Sequence, residues 1–442
     1  MSNYFRPISI SLSPNVEKDD VKLALNLIIR PWLWTQRRQG SAGQGAIGEL
    51  ERQFRDYLGV KYAFSFNSGR SAFYAILRAL QKTDQTAFAK SSGVLIQAFT
   101  CNASINPVLW AGLEPIYVDC NEDDFNVDIE DLKNKITQNP SAKILVVQHT
   151  FGLPANMDEI VNICKNNNLI LIEDCAHSLG AEWKPASAEG FGVAKKVGTF
   201  GKAGFFSFSR DKVISSVYGG IAVTNDEKLG EALRQVQGKM GFPSLFWIFQ
   251  QILHPILLYY FILPIYNFLD LGKIMLVFSQ ITHVLSKAVS WQEKRGLKPN
   301  YFPKAMPNAM AVMALNQFSK LDRFYSHRKK LFEYYRENLK NTRFILPQEN
   351  LQSKQSYLRF TVRHVKASEI IYESWHKQNI LLGDWYTTPI APFDTKLEQM
   401  KYRLGLCPMA EKLAKETLNL PTHINIFQED ATRIINFLKK WN

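Results

Sequence analysis

Short apolar runs alternate with stretches of helical period from residue 47 to residue 225, and few folds accept a chain written that way. A strand buried on both faces reads as a brief apolar run, and a helix between two such strands returns the chain to start a parallel neighbour. The alternation therefore predicts the α/β class, with a large, mainly parallel sheet covered by helices. It opens with a helix over 49–58, where Leu50, Phe54, Tyr57 and Leu58 share a face, followed by a strand over 62–66. Further strands are expected around 94–96, 115–118, 144–148, 169–173 and 205–208, with helices around 103–111, 129–136 and 157–166. Beyond residue 300 a long helical pattern over 310–339, whole or broken, leads into a second α/β stretch. A helix over 430–441, with Ile434, Ile435, Phe437 and Leu438, closes the chain. The expected division is an N-terminal segment over 1–45, a large domain over 46–308, and a connecting helix with a smaller C-terminal domain over 309–442.

Residues that can carry chemistry gather where these strands end. Lys212 follows the apolar stretch Gly204-Phe205-Phe206-Ser207-Phe208, which puts it in a loop at a strand end, where active-site residues of open α/β sheets collect. A lysine alone is most often a solvated surface group. Asp174 ends the strand that holds Glu173, and such an acid is commonly a helix cap; His177 stands three residues on. The turn Asn67-Ser68-Gly69-Arg70-Ser71 joins a strand to a helix whose first amides are free to hold an anion, and Arg70 adds a positive charge there. Capping alone accounts for Ser68 or Ser71.

Their setting turns these single signals into a pattern. In order, the chain reads Asn67-Ser68-Gly69-Arg70-Ser71-Ala72, Ala111-Gly112-Leu113-Glu114-Pro115-Ile116-Tyr117-Val118-Asp119 and Phe151-Gly152-Leu153-Pro154-Ala155-Asn156-Met157-Asp158. It continues with Ile172-Glu173-Asp174-Cys175-Ala176-His177-Ser178-Leu179-Gly180-Ala181, and then Ser207-Phe208 before Lys212. In that order and spacing the chain resembles the DegT/DnrJ/StrS-type sugar aminotransferases, from about residue 40 to the C-terminus apart from one apolar insert.

The resemblance implies a pyridoxal 5'-phosphate (PLP) enzyme of the aspartate-aminotransferase-like fold type I, a homodimer with its sites at the subunit interface. It makes Lys212 the residue that holds the cofactor covalently and then moves the substrate proton. Asp174 would pair with the ring nitrogen, Ser207 and the Ser68-Gly69-Arg70 turn would bind the phosphate, and His177 would lie close to the ring. The implied reaction moves an amino group from glutamate to a keto sugar, nucleotide-linked or lipid-linked, in cell-surface polysaccharide or glycolipid synthesis. Three departures stand out. Cys101 occupies the position where relatives carry a ring-stacking aromatic, so it is expected to face the cofactor as a small soft contact. Val213 and Tyr218-Gly219-Gly220 replace the usual Asn and Glu-Gly-Gly, and Pro303-Lys304-Ala305-Met306 lacks the Asn or Arg that reaches the neighbouring subunit. The competing outcomes are dehydration at a sugar carbon, against which Lys212 argues, and a non-catalytic protein that keeps the fold.

Composition bounds the partners. A net charge of +13 favours anionic ligands, while no helix-turn-helix, zinc finger or basic-aromatic stripe points to nucleic acid. Five cysteines lack paired metal-site spacing and are too few to staple so long a chain, so no metal is expected and a reducing cytosol is. The start Met1-Ser2-Asn3-Tyr4 does not read as a secretory signal. The insert, over 240–290, has no Asp, Glu, Lys or Arg from Met240 to Leu269 and a second apolar run over 274–284. Its length exceeds the ~20 residues of a spanning helix. Pro255, Pro264, Gln250, Gln251, His254 and Asn267 interrupt it, and a single crossing would split one active site between two sides. The expectation is attachment to the inner face of the cytoplasmic membrane, with Trp247, Tyr259, Tyr260, Tyr266 and Trp291 near headgroups and Lys239, Lys287, Lys294, Arg295 and Lys298 meeting anionic lipid. Packing against a dimer mate is the alternative.

Overall fold

A computed structural model describes residues 6–35, 45–83, 92–187, 190–348 and 350–442; the chain start at 1–5, with its signal reading, and 36–44 of the N-terminal segment lie outside them. Seven strands form the central sheet: β1 Tyr62–Phe66, β2 Gly93–Gln97, β3 Glu114–Val118, β4 Ala142–Gln148, β5 Ile170–Asp174, β6 Ala203–Ser207 and β7 Gly220–Thr224. Their order is β1-β7-β6-β5-β4-β2-β3. All neighbours run parallel except β7, which is antiparallel to both β1 and β6. No helix separates β6 from β7, so the alternating pattern did not reveal β7.

Successive residues enter opposite layers, as a sheet covered on both faces requires. Val94, Ile96, Ile144, Val146 and Ile172 pack on one side with Phe73, Ile76, Leu77 and Leu80, while Leu95, Leu145, Val147 and Leu171 pack on the other with Met157, Ile160 and Ile163. The covering helices are α1 Lys18–Ile28, α2 Ala46–Leu58, α3 Gly69–Thr83, α4 Asn102–Trp110, α5 Ile129–Gln138, α6 Met157–Asn166 and α7 Glu227–Lys239. Side chains of Asp128, Asn156 and Asp226 cap the first turns of α5, α6 and α7.

The insert begins with α8 Leu245–Leu257, capped by Ser244, and continues through a π turn and a 3-10 turn to Ile265; α9 Leu271–Ile281 then folds back. Leu245–Ile265 is long and apolar enough to cross a membrane. Instead, Trp247, Ile248, Ile252 and Ile256 join Val21, Ala24 and Leu27 of α1 in one core. Several of its polar groups are answered within the protein: Gln251 Nε2 donates to Trp247 O (2.8 Å), Gln251 Oε1 accepts from Ser286 Oγ (2.8 Å), and His254 Nε2 meets Ser13 Oγ (2.9 Å). Trp247 and Tyr266 are therefore core residues rather than headgroup anchors, because each fills space between helices; Tyr260 and Trp291 are exposed.

The helical pattern over 310–339 is two helices, α10 Asn308–Phe318 and α11 Leu321–Leu339, broken at Ser319 and Lys320. Beyond them β8 Arg359–Arg363 pairs antiparallel with β9 Thr417–Pro421, flanked by α12 Ala367–Gln378, α13 Pro408–Glu416 and α14 Gln428–Leu438. Phe332, Tyr335, Phe360, Val362, Ile434 and Leu438 share a core here. Ile8–Ser9 pairs with Ile380–Leu381, so the N-terminal segment is tied to this C-terminal stretch.

Candidate active site

A cavity of about 470 Å3 opens where β5 and β6 end and α3 begins, and Ser68, Gly69, Arg70, Cys101, Asp174, His177, Ser207 and Lys212 all line it. These eight residues were each expected at the site from the sequence.

β5 delivers two adjacent acids to different tasks, because its side chains alternate between faces. Glu173 is buried and accepts the backbone N–H groups of Gly198, Phe200 and Gly201, each at 2.7 Å, so it ties the loop before β6. Asp174 lines the cavity, where its carboxylate accepts from Ser104 Oγ (2.7 Å) and from the Ala176 N–H (3.0 Å). Burial raises its carboxyl above the usual range, and those two donors and Lys212 oppose the rise.

The start of α3 makes the other end of the cavity. Ser68 Oγ accepts from the Ser71 N–H (3.0 Å), and a side chain added at Gly69 would stand 2.9 Å from Ser207 Cβ. Gly220, opening β7, lies against the backbone of Ser68 and Gly69, where an added Cβ would collide. The turn, Ser207 and β7 are thus packed as closely as backbone allows, which leaves the helix N-terminus with its hydroxyls at the cavity. Arg70 departs from expectation. Its guanidinium forms a buried ion pair with Glu293, donates to Ala288 O (3.2 Å) and lies over the Phe302 ring, so its charge is paired within the chain rather than left for a phosphate.

Lys212 Nζ stands 4.3 Å from the centre of the Trp385 ring, and burial lowers the pKa of its ammonium. Its carbonyl accepts from Asn15 Nδ2 (2.7 Å), and Asn15 Oδ1 accepts from Arg328 Nη2 (2.8 Å). His177 Nδ1 accepts the Phe151 N–H (3.2 Å); with that nitrogen occupied, Nε2 carries the proton of the neutral ring toward the Tyr386 hydroxyl (3.4 Å). Burial keeps its pKa well below the usual value. Cys101 is half-buried, its Sγ accepting from the Ala103 N–H (3.5 Å), and burial pushes its thiol up.

Sequence reasoning missed the aromatic lid. Trp385 and Tyr386 line the cavity, Trp385 stacks on His177 (4.9 Å between ring centres), and the Arg359 guanidinium sits 3.3 Å over Trp385. Arg359 Nη2 also pairs with Asp211 Oδ2 (3.1 Å), which ties β8 to the residue before Lys212. The only signal was an aromatic pair in a loop far along the chain. The insert was not expected to line this cavity, yet His254, Leu258, Leu276 and Gln280 do. Other residues near the cavity also meet the insert's exit: besides Arg70, Tyr218 donates to Lys287 O (2.5 Å), and Arg210 Nη2 to Ser286 O (2.6 Å).

This arrangement fits PLP on the side chains' own terms. A lysine and a buried carboxylate face one cavity, with a helix N-terminus and two serine hydroxyls at its end. Comparisons with known proteins agree. The profile of the DegT/DnrJ/EryC1/StrS aminotransferase family matches residues 36–244 and 273–439, leaving out 245–272. GDP-perosamine synthase of Caulobacter vibrioides is 26% identical over 391 residues, 88% of each chain. A UDP-N-acetyl-3-dehydro-alpha-D-glucosamine 3-aminotransferase of Acidithiobacillus ferrooxidans is 24% identical, over 88% of this chain and 87% of that one. The solved structure of Helicobacter pylori PseC, an aminotransferase involved in the biosynthesis of pseudoaminic acid, shares the fold at a TM-score of 0.72 and 22% identity, over 98% of this chain and 99% of that one. The chain belongs to the DegT/DnrJ/EryC1/StrS family and is a PLP-dependent sugar aminotransferase of fold type I.

Proposed function

We propose that the enzyme moves an amino group from glutamate to a keto sugar carried through a phosphate, with Lys212, Asp174, Ser68, Gly69, Ser207, Cys101 and His177 as its cofactor-binding set. The sugar C=O becomes CH–NH2 as the CH–NH2 of glutamate becomes C=O, so the exchange balances without another reductant. When bound, PLP supplies an electron sink for the charge left on carbon as its proton departs. Burial lowers the affinity of Lys212 for its proton, which favours the neutral amine that can take the substrate proton and return it. Asp174, held by Ser104, offers a carboxylate to the ring nitrogen. Ser68, Gly69 and Ser207 offer hydroxyls and first-turn amides to the phosphate, and Cys101 and neutral His177 pack beside the ring.

The reading extends to a cytoplasmic homodimer that touches the membrane through residues 240–290, with domains divided at 46 and 309. The single observation that carries the catalytic reading is that Lys212 and Asp174 line one cavity with the start of α3. Glutamate supplied with a panel of keto sugars, nucleotide-linked and lipid-linked, tests it by mass of the amino-sugar product. Transfer to at least one acceptor is expected; cofactor binding without transfer from any donor would establish a non-catalytic protein instead.

A further inference from the structure

The insert is a catalytic wall on one side and an apolar surface on the other. Around α9, Gly272, Leu276, Ser279 and Gln280 fall on one side of the helix; Gly272 and Ser279 are buried, and Leu276 and Gln280 line the cavity. Leu271, Ile274, Val277, Phe278 and Ile281, spaced by threes and fours, fall on the opposite side and are exposed. A helix on the surface of a globular protein carries the reverse arrangement, apolar inward and polar outward. The exposed apolar surface of the insert also includes Phe246, Phe261, Phe268 and Leu269.

Charge bears on what could cover this face. Residues 240–298 hold five Lys and Arg against Asp270 and Glu293; Lys273 pairs with Asp270, Lys294 with Asp394 and Glu293 with Arg70, which leaves Lys287, Arg295 and Lys298 without a carboxylate partner among the described residues. Apolar residues accompanied by cations match an anionic bilayer surface. A second copy of the chain fits less well, since a two-fold interface would set those cations near their own counterparts. On the cavity side, Arg210 Nε and His254 Nδ1 are buried without a hydrogen-bond partner among the described residues, and exposed Lys287 stands at the same wall. Of these, Arg210 and Lys287 carry the charge that suits a phosphate or diphosphate, and His254 is a neutral polar group beside them. The stretch 245–272, which contains His254, is also what the family profile leaves out.

We propose that the acceptor is a keto sugar carried on a lipid through a phosphate or diphosphate, taken from an anionic membrane on which the outer face of α9 rests. The sugar enters the cavity, its phosphate meets Arg210 and Lys287, and the hydrocarbon chain stays in the bilayer. This inference rests on the aminotransferase reading above.

The test compares the cofactor-loaded enzyme with a variant carrying Ile274→Glu, Phe278→Glu and Ile281→Glu, all on exposed positions. Flotation uses vesicles of phosphatidylglycerol with phosphatidylcholine against phosphatidylcholine alone. The parent floats with the anionic vesicles and the variant does not. With each keto sugar presented as a nucleotide diphosphate and as a polyprenyl diphosphate in those vesicles, the parent uses the lipid form at least roughly tenfold better, and the variant loses that preference. Glutamate-driven change of the cofactor's absorption, read without acceptor, is the control and is equal in both proteins. With the control intact, failure of the parent to float, or a preference for the nucleotide form, overturns the inference alone; loss of the glutamate response in the parent overturns the reading beneath it. If the substitutions convert a dimer into monomers, the face is a subunit interface and the inference is wrong.

Discussion

The floor of the cavity and the insert that walls it are built from opposite economies of side chains. On the floor, at the ends of β5 and β6, the buried acids and the imidazole are hydrogen-bonded: Asp174 with Ser104, Glu173 with three amides, His177 with the Phe151 amide. On the insert, large apolar groups stand in the open, and Phe278 is 64% exposed while Trp247, on the neighbouring helix, is 5% exposed. Buried polar groups are tolerated only when hydrogen-bonded, and exposed apolar surface persists only when something else covers it or function requires it. These floor groups thus find their partners within the chain, whereas the insert is two-sided: one face belongs to the core shared with α1, and the other is exposed apolar surface.

The largest expected effect tests the floor. Lys212→Ala should lower turnover by roughly 10²–10⁴-fold, the usual worth of a positioned acid-base group, while the fold is kept; turnover near the parent's would remove Lys212 from the mechanism. The paired acids sharpen the contrast further. Asp174→Asn should cut turnover by roughly 10²-fold with little change in stability. Glu173→Gln should do the reverse, costing about 1–3 kcal/mol of stability through the amides it holds while the loaded enzyme still turns over. If steady-state kinetics and denaturant melts gave the same profile for both variants, the division of labour along β5 would be wrong.

Within the insert, the same comparison is a matter of stability. Trp247→Ala should cost about 3–5 kcal/mol, as large core truncations do. Phe278→Ala should stay within about 0.5 kcal/mol in the free enzyme, as surface substitutions do. Equal losses in chemical denaturation would mean that the α9 face is covered in solution. The smallest effect is in pH. Burial holds the imidazoles of His177 and His254 well below their usual pKa of 6.5, so the folded state refuses protons that the unfolded chain accepts below about that pH. Stability is then full above pH 6.5 and falls as the pH drops, by up to about 1.4 kcal/mol per pH unit for each such histidine. His254→Gln should flatten that slope by one proton's share between pH 6.5 and 5, and an unchanged slope would show that His254 titrates freely.

How much of this was legible in the chain follows from the same physics. The sheet was readable because two-sided burial writes each parallel strand as an apolar run, and the ordered motifs named Asp174, Lys212 and the Ser68-Gly69 turn. β7 escaped because no helix announced it. In sequence Arg70 shows only as a positive charge beside the first amides of α3, because Glu293, its partner, lies more than two hundred residues away. α8 reads as apolar on nearly every side, so periodicity did not reveal which face met α1, and Trp247 was assigned to headgroups instead of the core. Trp385 closes the site from a loop that no local pattern connects to Lys212.

Lys212, just past the end of β6, is the residue proposed to hold the cofactor. Borohydride reduction of the PLP-loaded enzyme, followed by proteolysis and mass mapping, tests it most directly. A single stable pyridoxyl mass is expected on the peptide that contains Lys212. The same label on another lysine, or none on enzyme that has retained its cofactor, would contradict it.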